Sequence, residues 1–278
     1  MSSLRQLIAE ARYEVIPLKN LEAQLPHIPH GASVSVTCSV NKGQQATLDL
    51  TRRILALGHM AVPHISARLT EDDVAVKQLA TFCRDNGIEE VFLVAGDAPQ
   101  PVGKYDSVVA FLKDFLGHDH GLRRIGVTAY PDGHSLIPKD VVHAALHEKQ
   151  ALLAEAGVGG FASTQMHFDT KNWIQWARAE RASGFTLPLH IGAPGAVDRM
   201  KLISLSTKLD IGSSVRFLKK NSGAIGRLLR PGGYDPNKFL APLAKVSDEL
   251  NLEGVHLFTF NNVDATAEWQ QKALAKLS

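Results

Sequence analysis

Eight times along this chain a short apolar run, rich in branched and aromatic residues, stops at a polar residue, an aromatic or a glycine. The plainest case is Glu90-Glu-Val-Phe-Leu-Val-Ala-Gly-Asp-Ala-Pro99, where the run Val91 to Ala95 halts at Gly96 and hands on Asp97 before Pro99 bars further pairing. Runs of this length read as strands buried on both faces. Their ends fall at Glu14, Thr37, His64, Asp97, Tyr130, Gln165, Gly192 and Phe258, and all but the last are spaced by roughly 23 to 35 residues. That is the length of one parallel strand plus a crossover helix.

The intervening stretches carry helix signals. Ala46 to Leu57 closes at Gly58, Thr70-Glu-Asp-Asp73 resembles a capping box, and Val76, Leu79, Ala80 and Cys83 line one face behind it. Further helices are predicted over Tyr105 to Leu116, Lys139 to Ala156, Thr170 to Arg181, about 197–208 and Thr266 to Leu277. An excursion at about 210–250, with Lys219, Lys220, Arg227 and Arg230, is expected to hold two short helices and to present those cations to solvent. Strand and helix alternate with no linker, so the fold class expected over residues 1–278 is α/β, a single-domain (β/α)8 TIM barrel with its active site at the C-terminal ends of the strands. An open doubly wound sheet is the alternative. Against it, Gly96-Asp-Ala-Pro-Gln-Pro is no phosphate loop and a GxGxxG fingerprint is absent.

Composition narrows the function. A net charge of +2 gives no argument for nucleic acid or an anionic membrane. Two cysteines make no disulfide framework, and Cys83 and the tryptophans Trp173, Trp176 and Trp269 read as packing. Arg5 to Arg12 is charged throughout, unlike a secretory leader, and no eighteen-residue apolar window exists, so a cytoplasmic protein is expected.

The strand ends carry Glu14, Thr37, His64, Asp97, Tyr130 with His134, and Gln165. Each has an ordinary structural explanation alone; together they occupy equivalent places in a repeated topology. Glu14 lies between Tyr13, Val15 and Ile16, a setting that desolvates a carboxylate and favours its protonated, general-acid form. Neither a metal trio nor a serine nucleophile elbow is evident. Two carboxylates, a histidine, a glutamine and aromatics suit a planar, nitrogen-rich ligand and proton transfer.

Six segments carry a resemblance: Tyr13-Glu14-Val-Ile-Pro17, Val36-Thr37, Val62-Pro-His64-Ile-Ser66, Gly96-Asp97-Ala-Pro99, Ala129-Tyr130-Pro-Asp-Gly-His134 and Thr164-Gln165-Met-His-Phe168-Asp169. In that order they resemble the methylenetetrahydrofolate reductase family, from about residue 12 to 270. Ile191-Gly-Ala-Pro-Gly195 and His256-Leu-Phe-Thr-Phe260-Asn261 look like its short bacterial branch, without a regulatory domain. The resemblance implies reduction of 5,10-methylenetetrahydrofolate to 5-methyltetrahydrofolate, with NADH or NADPH as hydride source and FAD as carrier. It implies Glu14 as general acid, Asp97 beside flavin and pterin, and Gln165, Lys201 and Leu205 at the folate. It places Thr37, His64, Gly96, Asp97, Ala129, Tyr130, His134 and Lys149 around the flavin. There are departures: Ala95 stands where the family has Arg, Leu205 where it has Phe, and Lys201 where it has Gln. The helix that supplies basic groups to the flavin phosphates offers His143, His147 and Lys149. Fewer charge-assisted bonds to a pyrophosphate weaken flavin binding, so direct hydride transfer from NADH to folate is the alternative mechanism. A methyl-transferring folate barrel and a barrel that binds pterin without turnover are the competing functions. Oligomeric state is left open.

Overall fold

A computed structural model describes residues 3–167, 169–196 and 235–277. Among them, eight parallel strands close into a barrel in sequence order: β1 (Arg12–Val15), β2 (Ser33–Val36), β3 (Met60–Ser66), β4 (Glu90–Val94), β5 (Arg124–Ala129), β6 (Gly159–Met166), β7 (Leu189–Pro194) and β8 (Leu252–Phe258). The ring shuts where β1 pairs with β8, Glu14 lying opposite Phe258. The described helices are α1 (Leu4–Ala9), α2 (Gly43–Ala56), α3 (Asp73–Asp85), α4 (Val108–Phe115), α5 (Lys139–Glu155), α6 (Thr170–Ala182), α7 (Pro236–Ala244) and α8 (Val263–Lys276). The expected (β/α)8 barrel is therefore the fold. None of the described helices is long and apolar enough to cross a membrane.

Parallel strands alternate their side chains between barrel interior and helical layer. Outward residues such as Val91, Leu93, Ile125 and Val127 join Cys83 and Trp173 in the main core. Trp176 and Trp269 pack against that core. Inward residues stack from one mouth to the other. At the strand starts Arg12 pairs with Glu90, and Arg124 grips Glu253 through two bonds of 2.6 and 2.8 Å. Above them Phe92 and Phe161 stack at 6.3 Å, with both guanidiniums over the Phe161 ring. Gly126 makes room for these rings, since a Cβ there would lie 2.3 Å from the Phe161 ring edge. One mouth is thus stoppered by charge pairs and aromatics.

Several boundaries differ from expectation. Asp72, not Thr70, caps α3 by accepting the Ala75 N–H, and Thr70 turns its hydroxyl to the Ser66 carbonyl. Asp169 rather than Thr170 caps α6. Helix α4 starts after Ser107, leaving Tyr105 to bond Asp73 and Asp114. Helix α8 starts three residues before Thr266. Gly192 lies within β7 and not at its end. Of the excursion at about 210–250, α7 is described; the predicted helix at 197–208, Lys201, Leu205, Lys219, Lys220, Arg227 and Arg230 lie outside the described residues.

Candidate active site

At the C-terminal mouth β1 turns Glu14 inward, buried at 9% exposure. Its Oε2 is 2.8 Å from Nε2 of His256 on β8 and 3.9 Å from Nε2 of His64 on β3. A carboxylate oxygen and an imidazole nitrogen at 2.8 Å share a proton, because each would otherwise present only lone pairs to the other. His64 Nε2 also lies 2.7 Å from the Ser35 hydroxyl of β2. Burial first, then the neighbouring His256 and Arg12 charges, hold His64 well below its ordinary value, so it is neutral near pH 7. The rings form an aromatic lining: His64 is edge-on to Phe92 at 4.9 Å and His256 lies 5.1 Å from Phe258.

The backbone behind Glu14 is fixed from β8. Thr259 donates its hydroxyl to the Glu14 carbonyl, and the Asn261 side-chain amide accepts from Ile16 N–H at 2.8 Å while donating to Ile16 C=O at 2.9 Å. This clamp requires Phe260 and Asn261 to adopt φ of 50° and 56°. Two successive non-glycine residues in that region are a strained arrangement, of the kind found at sites where geometry is over-determined.

A second group stands on β4 and β5. Gly96, at φ 91°, brings the chain against Ser66, where a Cβ would fall 2.1 Å from the serine hydroxyl. Exposed Asp97 follows. Burial raises the Tyr130 phenol above its ordinary value, opposed by a Thr128 hydrogen bond, and the Asp97 charge adds to the rise, so the two groups sense one another. Tyr130 meets His134 edge-on at 5.2 Å. Asp132 Oδ2, in the same loop, lies 3.0 Å from His167 Nδ1 after β6, which sets that loop beside the half-buried Gln165. The Thr37 hydroxyl, just after β2, is buried with no hydrogen-bond partner among the described residues.

Some expected site residues face elsewhere. Ala129 packs its methyl into the outer core. Lys149 is buried between helix and barrel, donating to the Thr128 carbonyl at 3.0 Å, with its ammonium lowered by burial to about 8. His143 and His147 bond Glu180 on α6. His256, Ser35, Thr259, Asn261 and the Asp132–His167 pair went unassigned in the sequence. The signal for two of them was present: alternation in Ala32-Ser-Val-Ser-Val-Thr37 and Gly254-Val-His-Leu-Phe258 puts Ser35 and His256 on the inward face. Counting His256 also creates a metal-capable trio with Glu14 and His64, their ligand atoms within 4.8 Å of one another, although hydrogen bonds engage the same atoms here. Sequence reasoning saw no such set.

Comparison with known proteins adds three findings. A family model described as methylenetetrahydrofolate reductase matches residues 19–197. Methylenetetrahydrofolate reductase 2 of Saccharomyces cerevisiae is 32% identical over 114 residues, 37% of this chain and 18% of that protein, so the match spans less than a fifth of its relative. Among solved structures, an uncharacterized Clostridium thermocellum protein that binds two copies of 5-methyl-5,6,7,8-tetrahydrofolic acid superposes with a TM-score of 0.62. That likeness covers 98% of this chain and 99% of the other at 12% identity, and it speaks to the fold.

Proposed function

The chain belongs to the methylenetetrahydrofolate reductase family, and from that membership we propose that it reduces 5,10-methylenetetrahydrofolate to 5-methyltetrahydrofolate with a hydride from NADH or NADPH. The observation that carries this reading is the buried Glu14–His256 pair, 2.8 Å apart at the C-terminal end of the barrel. Both residues lie outside the segment 19–197 matched by the family model. The folate-bound structural neighbour is consistent with a reduced folate as ligand.

On this reading the Glu14 carboxyl gives a proton to N10 of the folate as the methylene bridge opens, leaving an iminium at N5. Hydride addition to the iminium carbon then forms the methyl group. One proton and one hydride are consumed, and the nicotinamide leaves oxidised. Neutral His64 adds no positive charge beside the developing cation, and the aromatic lining excludes water from it. His256 holds the Glu14 proton in place. Asp97, in the loop after β4, and Gln165, near the end of β6, are proposed to contact the pterin.

FAD fits the described residues poorly at its diphosphate end. Lys149 is buried on a carbonyl, and the His143 and His147 side chains bond Glu180. These observations favour direct hydride transfer from the nicotinamide to the folate, and purified protein is then expected without the visible absorption of bound flavin. The test of the main reading is NADH consumption with methylenetetrahydrofolate. Glu14→Gln keeps the shape and removes the acid, and turnover is expected to fall by about 10²–10⁴. Undiminished turnover would remove Glu14 from the reaction.

A further inference from the structure

Away from the barrel mouth, a second cluster of ligand-type side chains bridges the outer helices, and nothing in the proposed reaction uses it. His143 and His147 stand four residues apart on α5, so both rings project from one helix face, with centroids 4.5 Å apart. Glu180 of α6 meets them. Its carboxylate is 3.1 Å from His143 Nδ1 and 3.1 Å from His147 Nε2. We propose that His143, His147 and Glu180 form a binding site for a divalent transition-metal ion of the zinc class, clamping α5 to α6.

Three observations carry this. First, Glu180 is 7% exposed, yet its carboxylate is bonded by the two imidazoles and by no lysine or arginine among the described residues. A buried carboxylate needs a positive partner; the Arg181 guanidinium acts on it through space while bonding backbone carbonyls, whereas an ion between the imidazoles would lie directly against it. Second, the spacing suits an ion. Tetrahedral zinc with bonds of about 2.0–2.1 Å sets its ligand atoms roughly 3.3 Å apart, and both nitrogen–oxygen separations already stand near that edge length. The three ligand atoms lie within 4.8 Å of one another, so an ion can replace the hydrogen-bonding protons with an adjustment of side chains. Third, there is access and a further ligand. His143 is 48% exposed, which opens a route from solvent, and the Ser183 hydroxyl lies 3.3 Å from His147 Nε2, beside a position that water or this oxygen can fill. Two imidazoles and one carboxylate select zinc, cobalt, nickel or copper over magnesium and calcium. The bound ion would fasten together the helices that follow β5 and β6, the strands carrying Tyr130 and Gln165.

The experiment uses the tag-free full chain stripped of metal by chelation. Titration with zinc chloride, followed by calorimetry, should show one equivalent bound, and cobalt chloride should give the intense visible bands of a four-coordinate ion. The melting temperature should rise by roughly 5–10 °C at about a hundredfold excess over Kd. In His143→Gln/His147→Gln, whose amides can still bond Glu180, affinity should drop by more than ~10-fold. Glu14→Gln should keep the site. Should the double variant be poorly folded, His143→Gln alone, at the exposed ligand, is used in its place. Absence of zinc binding by the wild-type chain overturns the proposal. So does binding that survives the α5 substitutions, or binding lost with Glu14→Gln, which would put the ion in the barrel trio instead.

Discussion

At the scale of single residues, the proposed reaction turns on how one proton is held. Glu14 and His256 come from strands that are neighbours only because the barrel closes, and their 2.8 Å bond is made inside it. Removing the imidazole in His256→Ala should lower turnover by about 10-fold or more, less than the loss of Glu14, and should shift the pH profile of kcat. His256→Gln, whose amide oxygen can still accept the Glu14 proton, should restore part of both; a rescue in stability without any movement of the profile would mark His256 as packing. A second residue-scale consequence concerns acid. Burial lowers His190 to about 4, and its stacking on Phe161 at 4.6 Å leaves no room for hydration. The unfolded chain takes up a proton near pH 6.5 and the folded chain does not until about 4, so His190 makes stability fall as pH drops through that window. Between pH 6.5 and 5 the loss from His190 is about 2 kcal/mol, with buried His64 acting in the same direction. Denaturant melts at the two pH values measure it; an unchanged midpoint would mean that these imidazoles are protonated in place.

Among elements, the strands were legible because parallel strands covered on both faces are nearly continuous apolar runs, which a window of a few residues detects. Helix starts were not. Around α3 and α6 several Ser, Thr and Asp side chains compete to accept the first free N–H groups, and local pattern alone does not choose Asp72 over Thr70 or Asp169 over Thr170. The site divided along the same line. Residues where a strand runs out, such as Thr37, Asp97 and Tyr130, announce themselves by breaking an apolar run, whereas His256 sits mid-strand and is marked only by alternation. Lys149 looked like a phosphate ligand by position along α5, but helix rotation turns it inward. The element that sequence reasoning missed most fully is the elbow after β8. Asn261→Ala leaves the buried Ile16 N–H without its partner and the Ile16 carbonyl with only the Leu18 N–H, and should cost about 1–3 kcal/mol while reducing activity through displacement of Glu14. Chemical denaturation checks the first effect; a loss below about 1 kcal/mol would show that water or a neighbour replaces the amide.

For the whole molecule, the barrel separates stability from chemistry along its axis. Ion pairs and aromatic layers fill the end where strands begin, and the proton-handling groups collect where strands end. That polarity follows from parallel strands, since every loop entering a helix leaves from the same rim. It also explains why six dispersed segments could be read as one site. The measurement that bears most directly on the proposed activity traces the hydride itself. NADH carrying deuterium at the transferred position of C4 is incubated with the protein and 5,10-methylenetetrahydrofolate in ordinary water, and the folate product is analysed by mass. Direct transfer yields 5-methyltetrahydrofolate with one deuterium in its methyl group. Product without the label would contradict direct transfer, and no methylated product at all would contradict the reductase reading.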